Sequence, residues 1–426
     1  MKPLVSPFPK LSPVSMDQQA ELYSVLEIKL DSKCPSFQAD VDGVVHYIRI
    51  NKLSIPLVRY FLTEEDIVAS FESLVDYEGD WRAISHRRPK GHNSNMWLPT
   101  LFRGIPLHIV SKKNDWWNID VITDYFTEYE RLVSKKDYSQ SPMETWENNK
   151  ALRRTIVECA TQKIANARTI RDNFFYQCKE LALFRVTRAK SVVVEILGPE
   201  TRGLRWLDIS AGWGDRLIAA CSLDMDYLGF DPNEGLRHGH SEIIRVLGNN
   251  ENENHRRREI HYLPFETEAV SIIARDTRRY GRYNLVFTSP PFYILERYNG
   301  LEQSVNNYPA FDQWMVKFLF SSIQLAWENL TEDGFLAINI ADIRGCNMVV
   351  PMQLFIEDEC HGSNWEGIIA HSGRATCDAP GLIYVWRKNT ESADNDTRVL
   401  WDQSVSRSLA HLYPVLHSMY HNNESS

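Results

Sequence analysis

The sequence predicts an α/β protein: a mostly parallel sheet with helices on both faces and an antiparallel pair of strands at one edge. From residue 204 on, short apolar runs alternate with stretches of helical spacing, the pattern of buried parallel strands joined by crossover helices. Five such runs, LRWLDIS, DYLGFD, REIHYL, YNLVFTS and GFLAINIA, are separated by helices beginning near Asp215, Asn233, Glu266 and Phe311. Two closing runs, EGIIAHS and LIYVWRK, lie close enough in the chain to pair as an antiparallel hairpin.

Upstream the pattern is different. Residues 1–16 are rich in Pro and Ser and predict an extended arm. FQADVDGVVHYIRI reads as a hairpin turning at Asp42-Gly43. PLVRYFLTEEDIVASFESLV has helical spacing, with Thr63 placed to cap it ahead of Glu64, Glu65 and Asp66. Residues 81–130 are irregular and aromatic, so 17–140 is expected to be a separate, smaller α+β domain. Residues 145–198 look helical in two or three pieces, giving a helical extension over 141–200. The sheet domain then occupies 201–415, and 416–426 is expected to be a frayed tail.

The 426 residues carry 47 Lys plus Arg against 56 Asp plus Glu, a net charge of −9. With 43% hydrophobic and 24% charged residues this is an ordinary globular composition, which excludes disorder as the main state and a uniformly cationic nucleic-acid coat. The stretch 151–200 is the exception, with nine Lys or Arg against five Asp or Glu. Seven scattered cysteines contain no CxxC pair, so neither a zinc site nor a redox motif is visible and no metal is expected. No run approaches the ~18 apolar residues of a membrane span, and no signal-peptide core follows Met1. Together these point to a cytoplasmic or nuclear protein with reduced thiols.

Two strand ends carry chemistry. LDISAGWGD is a strand, a glycine turn and a helix start, in which Gly212 and Gly214 allow a tight turn and close approach to a ligand. It lacks the third glycine of a dinucleotide fingerprint and the Gly-Lys-Ser/Thr of a P-loop. The acids beside it, Asp208 and Asp215, suit an amino-acid ammonium better than a pyrophosphate. One strand later, Asp231 of GFDPN stands where a carboxylate accepts both hydroxyls of a ribose. A ribose acid beside an ammonium site describes a nucleoside with an amino-acid tail, and S-adenosylmethionine (SAM) is that molecule.

TSPPF follows the fourth strand. The two prolines, Pro290 and Pro291, remove two amide donors and fix φ, leaving backbone carbonyls rigidly aimed. Ser289 adds a hydroxyl and Phe292 a flat apolar face. Such a set suits a planar ring with an exocyclic NH2: oxygens accept its N–H bonds while the ring stacks on the phenyl. No Pro-Cys pair, as cytosine ring-carbon methylation requires, occurs in the chain.

LDISAGWGD, GFDPN, TSPPF and DGFLAINIAD, in that order, resemble the class I SAM-dependent amino-methyltransferases, most nearly the DNA N4-cytosine/N6-adenine methylase-like proteins of large DNA viruses and phages. The resemblance spans roughly 145–390. It implies a Rossmann-like methyltransferase sheet, with Asp208, Ser210, Ala211, Gly212 and Gly214 around the methionine part of SAM and Trp213 over the cofactor. It further implies Asp231 and Pro232 at the ribose, Phe265 or Glu266 at adenine, Phe184 as an aromatic cofactor contact with Arg185 and Lys190 nearby, and Thr288 entering the catalytic Ser289-Pro290-Pro291-Phe292. PFETE departs from the family's usual Asp at the third strand. Ser-Pro-Pro-Phe leans toward cytosine N4 over adenine N6.

The substrate implied is a nucleobase, in DNA rather than RNA. An RNA base, a glutamine amide of a protein, and a non-catalytic methyltransferase-fold subunit stand as alternatives. Target recognition falls by elimination to 1–140, through its tryptophans and the cations Arg87, Arg88, Lys90, Lys112 and Lys113, with Arg256 to Arg258 as a further phosphate contact or as helix-junction charge.

Overall fold

The computed structural model describes residues 16–24, 37–79, 81–83, 107–110, 116–136, 138–159, 162, 165–248, 256–300, 302–343, 345–372, 381–389 and 408–424. The chain forms two compact units, residues 1–63 with 131–181 and residues 64–130 with 182–426. The boundaries expected at 140/141 and 200/201 thus fall inside units. A unit assembled from two separated segments leaves no single composition break for a linear reading to find.

The larger unit is built on one sheet. Its strands are β1 (Trp81–Ala83), β2 (Leu107–Val110), β3 (Arg205–Asp208), β4 (Asp226–Phe230), β5 (Arg258–His261), β6 (Tyr283–Thr288), β7 (Leu330–Asn339), β8 (Ser363–Ser372) and β9 (Gly381–Lys388). They lie in the order β1-β2-β8-β9-β7-β6-β3-β4-β5. β7, β6, β3, β4 and β5 pair in parallel, and β9 runs antiparallel between β7 and β8. Every strand expected from residue 204 onward is present, in a Rossmann-like α/β sheet. The closing hairpin, however, is not at the edge. β2 pairs in parallel with β8, and β1 antiparallel with β2, so residues expected in a separate domain extend this sheet. Strands of three and four residues are too short to show a period.

Buried apolar side chains explain why the parallel strands read so clearly: β3 is buried at every position, and Leu285, Val286 and Phe287 of β6 are fully covered. Helices α4 (Val186–Leu197), α5 (Asp215–Ser222), α6 (Arg237–Leu247) and α7 (Phe265–Tyr280) belong to this unit. The tail expected to fray is a helix, Pro414–Glu424, anchored by Leu416 and Tyr420 one turn apart; Tyr420 meets Phe355 edge-on at 4.9 Å.

The smaller unit has a helical core among its described residues, and β1 and β2, which fall within 17–140, belong to the sheet of the larger unit. The segment read as a hairpin is a helix, Phe37–Ile50. Val41, Val44 and Ile48, three and four residues apart, are fully buried against Trp146, Leu152, Ile156 and Phe174. Their 3.6-residue period outweighs the turn preference of Asp-Gly. Trp146 donates from Nε1 to the Leu53 carbonyl (2.8 Å) and meets Phe174 edge-on at 5.0 Å. Helical pieces at Pro142–Trp146, Asn149–Cys159 and Ala167–Phe174 follow, the first and third opened by the capping boxes Ser141/Glu144 and Asn166/Thr169. With α4, the helical stretch comes in four pieces.

No helix among the described residues is long and apolar enough to cross a membrane. The clusters with Arg87, Arg88, Lys90, Lys112 and Lys113, and the arm up to residue 15, lie outside the described residues. Arg256 and Arg258 pair with Asp224, and Arg257 with Glu259 and Asp276, so this run is tied to acids of its own fold.

The helix at 37–50 makes a direct prediction. A Cβ added at Gly43 meets nothing within 4 Å, so Gly43→Ala should stabilise the smaller unit by roughly 0.5–1 kcal/mol in denaturant unfolding. A turn at Asp42-Gly43 would instead make the substitution destabilising.

Candidate active site

Parallel α/β sheets collect ligands beyond the carboxyl ends of their strands, where successive connections depart in opposite directions. Here that point lies between β3 and β6, since the chain runs from β3 outward to β4 and β5 and then returns to β6. A cavity of about 270 Å³ opens there. Its walls come from the segments following β3 (Ser210, Gly212, Trp213), β4 (Asp231, Pro232) and β5 (Phe265, Glu266), and from Ser289, Pro291 and Phe292 after β6. Phe184, at the approach to α4, lines it as well. The sheet therefore brings together most of the residues singled out from the sequence.

Five of them do not line it: Asp208, Ala211, Gly214, Thr288 and Pro290. Asp208 was expected beside the amino-acid tail, but it is fully buried and its carboxylate is already engaged. It accepts from Arg216 Nε (2.6 Å), Tyr227 Oη (2.7 Å) and the Ser210 amide (3.2 Å). Arg216 also donates to the Ser210 carbonyl, so the pair shapes the loop from beneath. Ala211 is buried, its amide donating to the Phe230 carbonyl at 2.7 Å. Gly214 has φ +97, and a Cβ there would stand 2.7 Å from Ile243 Cδ1: its role is close packing of α6 on the loop.

The loop is fixed from both sides. His240 of α6 contacts the Gly212 carbonyl through Nε2 and Tyr262 Oη through Nδ1, each at 3.0 Å. Burial pulls its pKa down to about 4, so the ring is neutral at ordinary pH. A carbonyl can only accept, which assigns the proton to Nε2 and leaves Nδ1 to accept from the tyrosine. On the other side Thr127 donates to the Trp213 carbonyl (2.8 Å), and the Trp213 ring meets Tyr298 edge-on at 5.5 Å.

Asp231 sits as expected at the end of β4. One carboxylate oxygen accepts from the Gly212 amide (2.8 Å), the other from the Asn233 amide (2.9 Å). Each oxygen keeps acceptor capacity for a hydroxyl. Burial pushes its pKa up to about 6, and the two amides oppose that shift. Farther along, burial raises Glu266 to about 7, and its Oε1 is buried without a hydrogen-bond partner.

Three groups at the site were not singled out from the sequence. Arg188 lines the cavity at 7% exposure; its guanidinium lies over the Phe184 ring (5.5 Å), and among the described residues it makes no hydrogen bond or ion pair. Burial pulls its pKa down to about 10. Asn339, at the end of β7, donates from Nδ2 to Ser289 Oγ (2.9 Å), and its Oδ1 lies 3.0 Å from His371 Nε2. His371 reaches the site because β8 runs parallel to β7 across the intervening antiparallel β9. No sequence signal links Ser289, Asn339 and His371; only the strand order does.

Segment 64–130, expected to serve target recognition, also supports the site. Asp120, fully buried, accepts from the amide (3.1 Å) and hydroxyl (2.8 Å) of Thr187 at the start of α4. Thr123 donates to Asp215 (2.9 Å), which lines the cavity beside the glycine loop. Glu359, His417 and His421, a grouping of potential metal ligands, do not line the cavity.

No known family model and no curated protein matches the chain. Solved structures do. The chain is similar to a rRNA methylase from Streptococcus thermophilus (12% identity, 49% of this chain and 99% of that one, TM-score 0.32) and to a precorrin-6y C5,15-methyltransferase from Geobacter metallireducens GS-15 (14%, 48% and 91%, 0.32). It is also similar to magnesium protoporphyrin IX methyltransferase from Synechocystis PCC 6803 with bound SAM (12%, 50% and 87%, 0.33). The fold class, a Rossmann-like α/β sheet, rests on the strand order of this chain itself.

Proposed function

We propose that the protein is a SAM-dependent methyltransferase acting on an exocyclic amino group of a nucleobase, cytosine N4 or adenine N6, in DNA. The observation that carries it is the placement of two half-sites in one cavity: a nucleoside-type cradle at β3 to β5, and Ser289-Pro290-Pro291-Phe292 at the end of β6.

The donor set of the cradle fits SAM. Asp231 retains capacity for the two ribose hydroxyls, and the buried Oε1 of Glu266 suits an adenine amine. At the glycine-loop end, Arg188 is a buried cation that makes no hydrogen bond or close ion pair among the described residues, and the buried acid Asp215 lies within electrostatic reach of it. A carboxylate would give Arg188 a bonded partner, and the negative charge of Asp215 would favour an ammonium at the same end, which transfers the tail-binding role expected of Asp208 to other residues. When bound, SAM supplies an electrophilic methyl group on a sulfonium.

The acceptor amine is handled by the chain's own groups. Among the described residues no donor is bonded to the carbonyls of Ser289 or Pro290, leaving them free to accept amine N–H bonds. Asn339 holds Ser289 Oγ by donating to it, so the hydroxyl keeps a fixed direction. Phe292 offers its face to the ring. Accepting both N–H bonds turns the nitrogen lone pair out of conjugation and toward the methyl donor, so the catalysis is positioning for in-line transfer.

Two outcomes test this. Incubation with labelled SAM and DNA, RNA or total protein, followed by nucleoside mass spectrometry, should yield N4-methylcytosine or N6-methyladenine from DNA. Ser289→Ala should lower kcat by about 10²-fold or more, with SAM affinity little changed. Label confined to RNA or protein contradicts the substrate; equal loss of kcat and SAM affinity makes Ser289 structural.

A pH dependence follows as well. The free carboxyl of Asp231 has its pKa raised to about 6, and the ribose hydroxyls favour the ionised form. Binding below that pH must first remove a proton, so SAM affinity should be level above pH 7 and fall by about tenfold per unit below about 6. An affinity unchanged down to pH 5 would show that Asp231 does not bind as a carboxylate.

A further inference from the structure

The smaller unit contains a second concavity, of about 440 Å³, whose chemistry is unlike that of the active site. Lys150 and Arg154, one turn apart in Asn149–Cys159, share one wall; Lys179, after Ala167–Phe174, contributes to another. Among the described residues its lining includes the amides of Gln140, Asn148 and Gln177 and no Asp or Glu. Tyr176, also in the lining, is 84% exposed, so its ring is open to solvent.

The pairing of neighbouring cations makes the cleft distinct. Arg153 is bonded to Asp42 at 3.1 Å, and Arg131 to Glu180. Lys150, Arg154 and Lys179 have no ion-pair partner among the described residues. Three unpaired cations facing one concavity repel one another, and a multivalent anion would relieve that repulsion. The cleft also explains where the basic excess of the 151–200 stretch goes: part of it borders a cavity.

We propose that this cleft binds the backbone of a single-stranded nucleic acid, with phosphates on Lys150, Arg154 and Lys179 and a base stacked on Tyr176. The inference rests on the reading of the acceptor as a nucleobase and locates a strand-binding surface for it in the helical unit. Its test needs no cofactor.

Fluorescence anisotropy of labelled single-stranded DNA and RNA, titrated with the full-length chain over a range of salt, measures it. Wild-type affinity should fall as salt rises. The double variant Lys150→Glu/Arg154→Glu should bind at least ~10-fold more weakly, with the log–log salt slope reduced by roughly 1.4, two contacts at about 0.7 each. Lys150→Arg/Arg154→Lys keeps both charges and should retain affinity, which separates loss of charge from loss of fold. Tyr176→Ala should weaken binding about tenfold with no change in slope. Comparing the DNA and RNA arms identifies the preferred strand.

Wild-type affinity and slope in the charge-reversed protein would overturn the proposal. So would equal loss in the charge-conserving variant, or competition by polyglutamate as effective as by nucleic acid. SAM uptake measured on the same samples keeps the two readings apart. Strand binding without SAM uptake would sink the methyltransferase reading and leave the cleft, whereas SAM uptake unchanged by charge reversal assigns the lost binding to the cleft alone.

Discussion

The buried pair between Asp208 and Arg216 is the constraint on which the site depends. At 2.6 Å, with both side chains nearly or wholly out of water, it ties the end of β3 to the start of α5. Breaking such a pair by removing one partner typically costs about 3–5 kcal/mol, because the survivor is left charged and unpaired. Through Arg216 the pair also holds the Ser210 carbonyl, and so fixes the backbone that presents Gly212 to Asp231. An acid at the end of the first parallel strand thus acts on the cavity indirectly, by shaping the loop that lines it.

With the loop fixed, charge inside the cavity sorts by distance along it. Arg188 and Asp215 lie near the glycine loop, Asp231 at the middle strand and Glu266 beyond β5. Asp231 and Glu266 have their carboxyl pKa values raised by burial, so each is held near its titration range and responds to what binds it. A zwitterionic tail, a diol and an amine in that order would match the charge and hydrogen-bonding capacity of these groups. The Ser289 wall of the cavity is set by the sheet itself, through the chain from His371 to Asn339 to Ser289.

Much of the larger unit was legible in the sequence because strands buried on both faces read as unbroken apolar runs, and because glycine and proline mark the turns that follow them. Asp231 and Ser289 stand out for the same reason, each one residue past such a run, and Phe292 follows four residues past the second of them. Asp208 was misread because a strand-end acid looks the same whether it faces a ligand or, as here, an arginine eight residues on. Arg188, Asn339 and His371 carry no local mark, and only the fold brings them to the wall of the cavity. The smaller unit was read least well. Val41, Val44 and Ile48 fit a helix, yet the same segment also fits an alternation about Asp-Gly, and only burial against Trp146 and Phe174 decides between them. β1 and β2 were too short to recognise, so a segment that extends the sheet looked like a separate domain.

The account stands or falls on whether the cavity takes SAM. Equilibrium dialysis of labelled SAM against the purified full-length chain at neutral pH, beside the Asp231→Ala protein, measures this most directly. One SAM per wild-type chain, with binding lost in Asp231→Ala, is the expected result. No binding to the wild type, or equal binding to both proteins, would contradict it.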